Sequence, residues 1–303
     1  MDRRQILSEA ERLAEEVLFP SALAVDASGA IPVSNLDRIA SAGLYGLLGP
    51  THLGGADADP ATLLAVIELF AGACLTTCFV WTQHQGATRA VVASTGPVAD
   101  CFGPGLSDGS IRSGVAFAHL LRAGPPAISA VACDEGWLIS GVAPWVTGWG
   151  HIDVFHVAAR HENDIVWGLI DAVPAPPSLV SKRLPLSAID ASGTDQILFD
   201  RHLVPADRVT SIQPYDAWRQ QYPHGLRLNG SLSLGIASRA ARLLGPSSFD
   251  DPLATARRYL DEADVSQLPD ARGRVSALAV LIANSLVAKV GGRAVVSDHH
   301  GQR

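Results

Sequence analysis

Apolar residues recur at helical spacing over the first third of the chain, and this pattern changes twice further along. Stripes at three- and four-residue spacing run through residues 6–17, 36–44 and 63–74, which predicts amphipathic helices up to about Gly109. From about Ser110, short runs rich in β-branched and aromatic residues alternate with turn residues, which predicts strands. From about Tyr215 the helical spacing returns and continues to Val290. The predicted order is therefore helices, strands, helices.

These changes in periodicity divide the sequence into three predicted domains and indicate the α+β fold class. Residues 1–109 form an N-terminal α-helical domain, residues 110–213 a middle β domain, and residues 214–303 a C-terminal α-helical domain that is an incomplete four-helix bundle. The middle domain is predicted to hold six or seven strands in an antiparallel barrel or sandwich. Residues 172–186 are predicted to be an irregular connection outside the sheet, because proline cannot donate a ladder hydrogen bond.

Composition narrows the classes of function. The 303 residues are 48% hydrophobic with a formal net charge of −7 and no long basic block, which argues against a nucleic-acid partner. The longest apolar stretch, residues 275–290, contains Asn284, Ser285 and Lys289 and is predicted to be a buried helix, not a membrane span. The four cysteines form no CxxC pair, so we predict no metal site and a reducing, cytoplasmic location.

Five phrases of the sequence, in consistent order along nearly the whole chain, resemble the acyl-CoA dehydrogenase family. They lie at residues 46–59, 103–119, 136–159, 198–209 and 227–244, and include GLLGPTHLGGADAD, GWLISGVAPWVTGWGHIDVFHVAA and LFDRHLVPADRV. The resemblance implies that family's three-domain fold and a flavoprotein oxidoreductase of fatty acid metabolism. The implied reaction is the α,β-oxidation of an acyl-CoA thioester, with hydride transfer to FAD; FMN is the alternative cofactor.

The resemblance also implies which residues meet the flavin and the substrate. Trp145 and Thr147 match the family's Trp-aliphatic-Thr triplet, so Trp145 is expected to pack near the flavin ring and Thr147 to hydrogen-bond at its reactive edge. Ala118 and His119 match the first flavin-contacting strand, where the family has a Ser or Thr at the place of His119. His84 falls where the first domain approaches the ligand cavity, so a polar role in lining the substrate cavity is expected there.

Each of these residues also has a purely structural interpretation. The alternative is that Trp145 is ordinary strand core and Thr147 an ordinary strand-end hydroxyl, but the flanking phrase favours the flavin contact. His119 suits a strand end that faces solvent, and for His84 a structural histidine with satisfied hydrogen bonds is the favoured alternative. The sequence leaves both interpretations open at these four positions.

Two departures from the family pattern bear on the reaction. The family places its proton-abstracting Glu at one of two positions; the first aligns with Gly225 to Arg227, where no acid occurs, and the second lies beyond residue 303. Residues 120–126 replace the phrase that helps to hold the thioester ligand.

Three hypotheses about the function follow from these departures. The first is an acyl-CoA dehydrogenase whose base comes from elsewhere, and the second is a flavin-dependent monooxygenase of the same fold that needs no such base. The third is a non-catalytic partner subunit of a heteromeric dehydrogenase. The expected partners are an acyl-CoA or related small molecule and further subunits, in a homodimer, a homotetramer or a hetero-oligomer.

Overall fold

The structure is a computed structural model that describes residues 1–296 and 299–300, and its contacts group the chain into two compact units. Unit 1 comprises Met1–Ile31, Pro60–Cys78 and Arg219–Arg303, and unit 2 comprises Pro32–Asp59 and Phe79–Trp218. The first and last of the three predicted segments therefore contribute helices to the same unit. The predicted segment boundaries lie close to changes between helix and strand, since a helix ends at Asp108 and the last strand ends at Pro214.

Ten α-helices form in the described part of the chain. They are α1 (Arg3–Leu13), α2 (Phe19–Ser28), α3 (Val33–Ser41), α4 (Pro60–Ala73), α5 (Leu75–Val92), α6 (Pro97–Asp108), α7 (Tyr215–Gln221), α8 (Leu226–Leu244), α9 (Asp250–Glu262) and α10 (Leu268–Val290).

Local sequence explains where the first of these helices begins. The Asp2 side chain accepts a hydrogen bond from the Gln5 backbone N–H at 2.8 Å, and the Gln5 side chain accepts one from the Asp2 N–H at 2.9 Å. This reciprocal capping box satisfies two backbone donors that a helix N-terminus leaves unpaired. The capping box thus fixes the start of α1 at Arg3, directly after the N-cap residue Asp2.

Two glycines allow α4 and α8 of unit 1 to pack closely. A Cβ atom built on Gly72 would lie 2.7 Å from the Gly235 carbonyl oxygen, and one built on Gly235 would lie 2.9 Å from both Ala71 Cβ and Gly72 N and would overlap the Glu68 carbonyl oxygen. Glycine lets two backbones approach to distances that any side chain would prevent. The small residues of the phrase at 227–244 therefore set the spacing of these two helices.

Charged side chains reinforce this packing. Glu68 on α4 accepts hydrogen bonds from Ser231 Oγ of α8 at 3.2 Å and from the Arg257 guanidinium of α9. Arg239 of α8 pairs with Glu15 at 2.6 Å and donates from Nε to the Gly72 carbonyl oxygen at 2.7 Å. Because the Glu68 and Arg239 side chains are both largely shielded from solvent, these pairs hold the helices in one register.

Helix α10 buries one face and exposes the other. Val275, Ala279, Ile282 and Leu286 are buried within unit 1, whereas residues 280, 281 and 287 are exposed apolar positions. The prediction of a buried helix is therefore correct for one face alone. By length and composition, the segment Leu268–Val295 is the one described helix that could cross a membrane. A packed apolar helix passes the same criterion, so this is weak evidence for a span.

The strands form one eight-stranded sheet in unit 2. Its neighbours run in the order β6-β7-β3-β2-β4-β5-β8, and β1 pairs with β4. The strands are β1 (Ser113–Ala116), β2 (Ile128–Cys133), β3 (Gly136–Val146), β4 (Val154–His161), β5 (Asp164–Asp171), β6 (Leu179–Arg183), β7 (Asp195–Pro205) and β8 (Val209–Pro214). Phe155, Phe199, Ile139, Ile128 and Ile197 lie at the centre of its apolar core.

The sheet differs from its prediction in three respects. It has eight strands, where six or seven were predicted. Strands β1 and β4 pair in parallel, with Ser113 opposite Val154, so the sheet is mixed and not wholly antiparallel. Strand β6 forms inside the segment 172–186, which was predicted to be irregular, and pairs with β7 from Leu179 to Arg183. The prolines flank these five residues and β6 lies at the edge of the sheet, where proline is tolerated. The prolines thus keep their own positions out of the sheet, but they do not prevent residues 179–183 between them from pairing with β7.

A buried histidine lies on the opposite face of β4 from this apolar core. His156 Nε2 donates to Thr210 Oγ1 at 2.7 Å, Thr210 Oγ1 donates to the Trp167 carbonyl oxygen at 3.3 Å, and the His156 ring stacks on the Trp167 ring with centroids 4.9 Å apart. Burial disfavours the charged imidazolium and lowers the pKa of His156 to about 4. The ring is therefore neutral at pH 7.

We predict that Gly235→Ala lowers the free energy of unfolding by about 1–3 kcal/mol, because the new methyl overlaps the α4 backbone. The matched control is Gly273→Ala in α10, where no atom lies within 4 Å of the new Cβ. That control should raise the free energy of unfolding by about 0.5–1 kcal/mol, since alanine favours the helix interior. Denaturant unfolding of both variants measures the difference, and equal effects of the two substitutions would contradict the close approach.

We predict that stability falls as the pH is lowered from 7 towards 5, and that His156 contributes to the slope. Its pKa in the folded state lies below that of an unfolded histidine, about 6.5. The unfolded chain thus binds more protons in this range, and the contribution lost by pH 5 is about 2 kcal/mol. His156→Phe keeps a ring against Trp167 and removes the titration, so it should flatten the dependence of unfolding free energy on pH. His52→Gln, at an exposed position, is the control and should leave the slope of the wild type unchanged.

Candidate functional site

A cleft of about 270 Å³ opens at one end of the sheet within unit 2. Its wall combines aromatic and aliphatic side chains with two hydroxyls and one amide. The lining residues are Phe79, Gln83, Val115, Phe117, Ala118, Trp145, Thr147, Leu186 and Thr194. A mostly apolar wall with a few converging polar groups is typical of small-molecule sites, although this volume lies near the lower end of the usual range, about 300–1,000 Å³.

Each part of this wall comes from a different element. Phe79 and Gln83 lie four residues apart on α5, so their side chains project from the same face of the helix. Val115 belongs to β1, and Phe117 and Ala118 follow directly after that strand. Strand β1 pairs in parallel with the first half of β4, from Ser113 opposite Val154 to Ala116 opposite Val157. The cleft is thus lined by one face of α5, by β1 and the residues that follow it, and by residues at the junction of β3 and β7.

Two hydroxyl-bearing residues are brought together where β3 ends and β7 begins. Val146 of β3 pairs with Asp195 of β7, which places the neighbouring residues Thr147 and Thr194 side by side. Beyond the strands, the backbone continues to pair: Gly148 N–H donates to the Ser192 carbonyl oxygen at 2.9 Å and Trp149 N–H donates to the Gly193 carbonyl oxygen at 2.7 Å. This short backbone ladder fixes the distance between the two threonines.

A glycine is required within this ladder. Gly193 has a φ angle of +63°, which side-chain-bearing residues rarely adopt, and a Cβ atom there would overlap the Trp149 carbonyl oxygen. The loop of Ala191, Ser192 and Gly193 can therefore lie against the end of β3 because position 193 has no side chain.

The hydroxyls form a buried chain. Thr147 Oγ1 lies 3.1 Å from Thr194 Oγ1, which in turn lies 2.9 Å from Ser192 Oγ. All three residues are buried, and Ser192 is completely so. Asp195 follows in the sequence, where burial raises the pKa of its carboxyl group and Arg183, at 3.3 Å, partly offsets this effect. Thr147 and Thr194 are thus the polar face of the cleft at this end.

Aromatic side chains form the flat part of the wall. Trp145 precedes Thr147 by two residues and retains 50% exposure, so its large ring faces open space next to the cleft. The Arg122 guanidinium lies over this ring, 5.3 Å from its centroid. Phe117 and Phe79 contribute two more rings to the lining. Because the lining side chains are uncharged, this wall is suited to a planar, largely apolar ligand.

Three of the five predicted site residues line the cleft, namely Trp145, Thr147 and Ala118, and His119 does not. His119 is buried in a short 3-10 helix, and its Nε2 donates to the Ala158 carbonyl oxygen at 2.9 Å. Its Nδ1 has no hydrogen-bond partner among the described residues. Burial lowers the pKa of His119 to about 4, with a smaller contribution from Arg122. The histidine that departs from the family pattern is therefore buried and neutral, not a solvent-facing strand end.

The fifth predicted residue, His84, also lies apart from the residues that line the cleft. It is fully buried; Nε2 donates to the Leu106 carbonyl oxygen at 2.8 Å and Nδ1 accepts from the Ser113 backbone N–H at 3.0 Å. Burial lowers its pKa to about 4. A neutral ring with both nitrogens bonded to backbone joins α5, α6 and β1. This geometry corresponds to the structural alternative at that position.

Sequence reasoning missed Thr194, Ser192, Phe117 and the two α5 residues Phe79 and Gln83. The signal for Thr194 was weak, because it lies 47 residues from Thr147 and follows a segment predicted to be irregular. The described residues contain no group of three or more His, Cys, Asp or Glu that could hold a metal ion.

Comparison with known proteins identifies the relatives of this chain. Residues 1–98 match the family model described as acyl-CoA dehydrogenase, N-terminal domain. The short-chain specific acyl-CoA dehydrogenase of Bos taurus is 23% identical over 213 residues, which cover 64% of this chain and 49% of the relative. L-evernosamine nitrososynthase of a Micromonospora species is 27% identical over 244 residues, covering 72% of this chain and 54% of the relative. The chain thus spans about half the length of these two curated relatives.

Solved structures share the fold. Butyryl-CoA dehydrogenase from Megasphaera elsdenii matches with a TM-score of 0.83 at 17% identity, covering 100% of this chain and 93% of that one. A glutaryl-CoA dehydrogenase from Mycobacterium smegmatis, in complex with FADH2, matches with a TM-score of 0.83 at 14% identity, covering 100% and 88%. The helical N-terminal part, mixed sheet and C-terminal helices follow the same architecture. The matched N-terminal model and the relatives support a likeness to the acyl-CoA dehydrogenase family, and the solved structures show that this chain has the acyl-CoA dehydrogenase fold.

Proposed function

We propose that this chain is a flavin-dependent oxidoreductase that holds the ring of FAD in the cleft of unit 2. The observation that carries the proposal is the pairing, in one cleft, of the Trp145 ring with the Thr147 and Thr194 hydroxyls. The glutaryl-CoA dehydrogenase with the same fold contains the reduced form of FAD, which supports this choice of cofactor.

The donor set of the cleft fits a flavin ring. Such a ring is flat and largely apolar, with polar atoms at its edges, and the cleft offers aromatic and aliphatic faces with hydroxyls at one end. The side chains of Val115, Ala118 and Leu186 are small or flexible enough to border a planar group. A volume of about 270 Å³ suits one ring system, not a whole dinucleotide, so the rest of FAD would extend from the cleft.

Each residue then has a defined part in binding. When bound, FAD supplies a ring that accepts a hydride equivalent. Trp145 and Phe117 hold the tilt of that ring by packing, and Thr147 donates a hydrogen bond to a polar atom at its edge. A hydroxyl whose position is fixed by the fold makes this hydrogen bond without having to reorient.

For the reaction, we propose the α,β-oxidation of an acyl-CoA thioester, as the name of the bovine relative suggests. The second candidate is a flavin-dependent monooxygenase of the same fold. It is supported by the HsaA monooxygenase of M. tuberculosis, which shares the fold with a TM-score of 0.77 at 16% identity, and by a cleft in which the described lining residues are hydroxyls, an amide and apolar groups. A role as the partner subunit of a heteromeric dehydrogenase is the third. A cytoplasmic homodimer or homotetramer is the assembly we expect for either enzyme.

We predict that the purified full chain takes up FAD and gains absorbance near about 450 nm. Thr147→Val should weaken FAD binding by about three- to tenfold, as expected for the loss of one hydrogen bond. Trp145→Ala should weaken it further because it removes part of the apolar wall. Titration monitored by flavin fluorescence measures both changes.

The matched control is Thr51→Val, at an exposed position of unit 2 that does not line the cleft, and it should bind FAD as the wild type does. A wild-type chain that takes up neither FAD nor FMN would contradict the proposal. If FAD binds, anaerobic addition of butyryl-CoA separates the reactions. Loss of the flavin absorbance supports dehydrogenation, whereas oxygen consumption that depends on a flavin reductase supports the monooxygenase.

A further inference from the structure

We propose that Ser192, Thr194 and Thr147 form a hydroxyl relay that presents Thr147 to the cleft as a hydrogen-bond donor, and that Thr194 is the positioning residue of this relay. The proposal rests on the assignment of a flavin to the cleft, and it goes beyond that assignment by predicting which redox form of the ligand the protein favours. Its basis is the chain of hydroxyls at 2.9 and 3.1 Å that begins in a fully buried loop and ends at the cleft.

The direction of the relay follows from a count of donors and acceptors. Each hydroxyl has one hydrogen to donate and can accept through its oxygen. Ser192 Oγ has one hydrogen-bond partner among the described residues, Thr194 Oγ1, and no solvent contact. If Ser192 accepted from Thr194, its own hydrogen would be buried without an acceptor, which costs free energy. Ser192 therefore donates to Thr194.

The same reasoning extends the relay to the cleft. Because Thr194 Oγ1 accepts from Ser192, its own hydrogen is available for Thr147 Oγ1, 3.1 Å away, and the relay assigns the donor role in this pair to Thr194. Thr147 Oγ1 has Thr194 as its hydrogen-bond partner among the described residues. With its oxygen accepting from Thr194, Thr147 directs its hydrogen towards the cleft that it lines. Aligned hydroxyls polarise one another, so the last donor is stronger than an isolated threonine.

The backbone prevents the relay from rearranging. The Ser192 carbonyl oxygen is held by Gly148 N–H at 2.9 Å and the Ser192 N–H by the Ile189 carbonyl oxygen at 2.8 Å. Thr194 precedes the first residue of β7, whose pairing with Val146 fixes its position relative to Thr147. The oxygen positions are thus set by the fold, and the hydrogens can adapt only within this fixed row.

A donor at this position distinguishes between two forms of a redox ligand. A ring nitrogen with a lone pair accepts from Thr147, whereas the same nitrogen carrying a hydrogen no longer accepts this hydrogen bond. The relay should therefore favour oxidised over reduced flavin. Without Thr194, the Thr147 hydrogen is no longer directed towards the cleft, and this preference should decrease.

The experiment measures the dissociation constants of oxidised and dithionite-reduced FAD for the full chain under anaerobic conditions. The ratio of the reduced to the oxidised constant should fall by about three- to tenfold in Thr194→Val, the range of one hydrogen bond. For a two-electron couple a tenfold change corresponds to a rise in midpoint potential of about 30 mV. This readout does not depend on turnover. If Thr194 had a merely structural role, its replacement would weaken the binding of oxidised and reduced FAD equally.

Two further variants complete the test. Thr194→Ser keeps the hydroxyl and should preserve the wild-type ratio within about twofold. Ser192→Ala removes the first donor and should change the ratio in the same direction as Thr194→Val, even if the valine variant folds poorly. An unchanged ratio in both Thr194→Val and Ser192→Ala, or a rise in the ratio, would overturn the relay alone. A wild-type chain that binds no flavin would instead overturn the proposed function, and the relay with it.

Discussion

The candidate site depends on the pairing of β3 with β7 beyond the ends of both strands. Val146 opposite Asp195 sets the register, and the backbone bonds from Gly148 and Trp149 to the loop of Ser192 and Gly193 extend it. Since side chains alternate between the faces of a strand, a shift of one residue would turn Thr194 away from Thr147. The geometry of the hydroxyls is therefore a consequence of backbone pairing, and their side chains contribute little to fixing it.

Burial gives unit 2 polar groups that are neutral. His84, His119 and His156 have pKa values lowered to about 4, and all three donate from Nε2 to an oxygen of the surrounding chain. The Thr147 and Thr194 hydroxyls of the cleft carry no charge either. A site built from neutral donors avoids the cost of burying an unpaired ion, and its hydrogen bonds gain strength from the low dielectric around them.

Local sequence patterns predicted the elements that local sequence determines. Helical spacing located most of the helices, and alternation located β2 to β5 to within a few residues. Trp145 and Thr147, at the end of β3, were proposed as flavin contacts from the family resemblance alone, since periodicity cannot indicate which residues meet a ligand. Strand β6 was not predicted, because the prolines on either side of it were taken to exclude the whole segment 172–186 from the sheet. In fact, proline excludes its own position from a ladder, and the five residues between the prolines pair with β7.

Thr194 was beyond the reach of this reasoning for a different reason. No local pattern marks it, and its role arises from a contact with a residue 47 positions away that exists once β7 has paired with β3. Contacts of this kind depend on register, which a single sequence specifies weakly in loops. Gly193 is the local sequence feature that this contact requires, because its positive φ angle and its lack of a side chain let the loop approach Trp149. A hydroxyl relay can thus be encoded by a glycine beside two ordinary polar residues, and it becomes recognisable when the two strands are placed together.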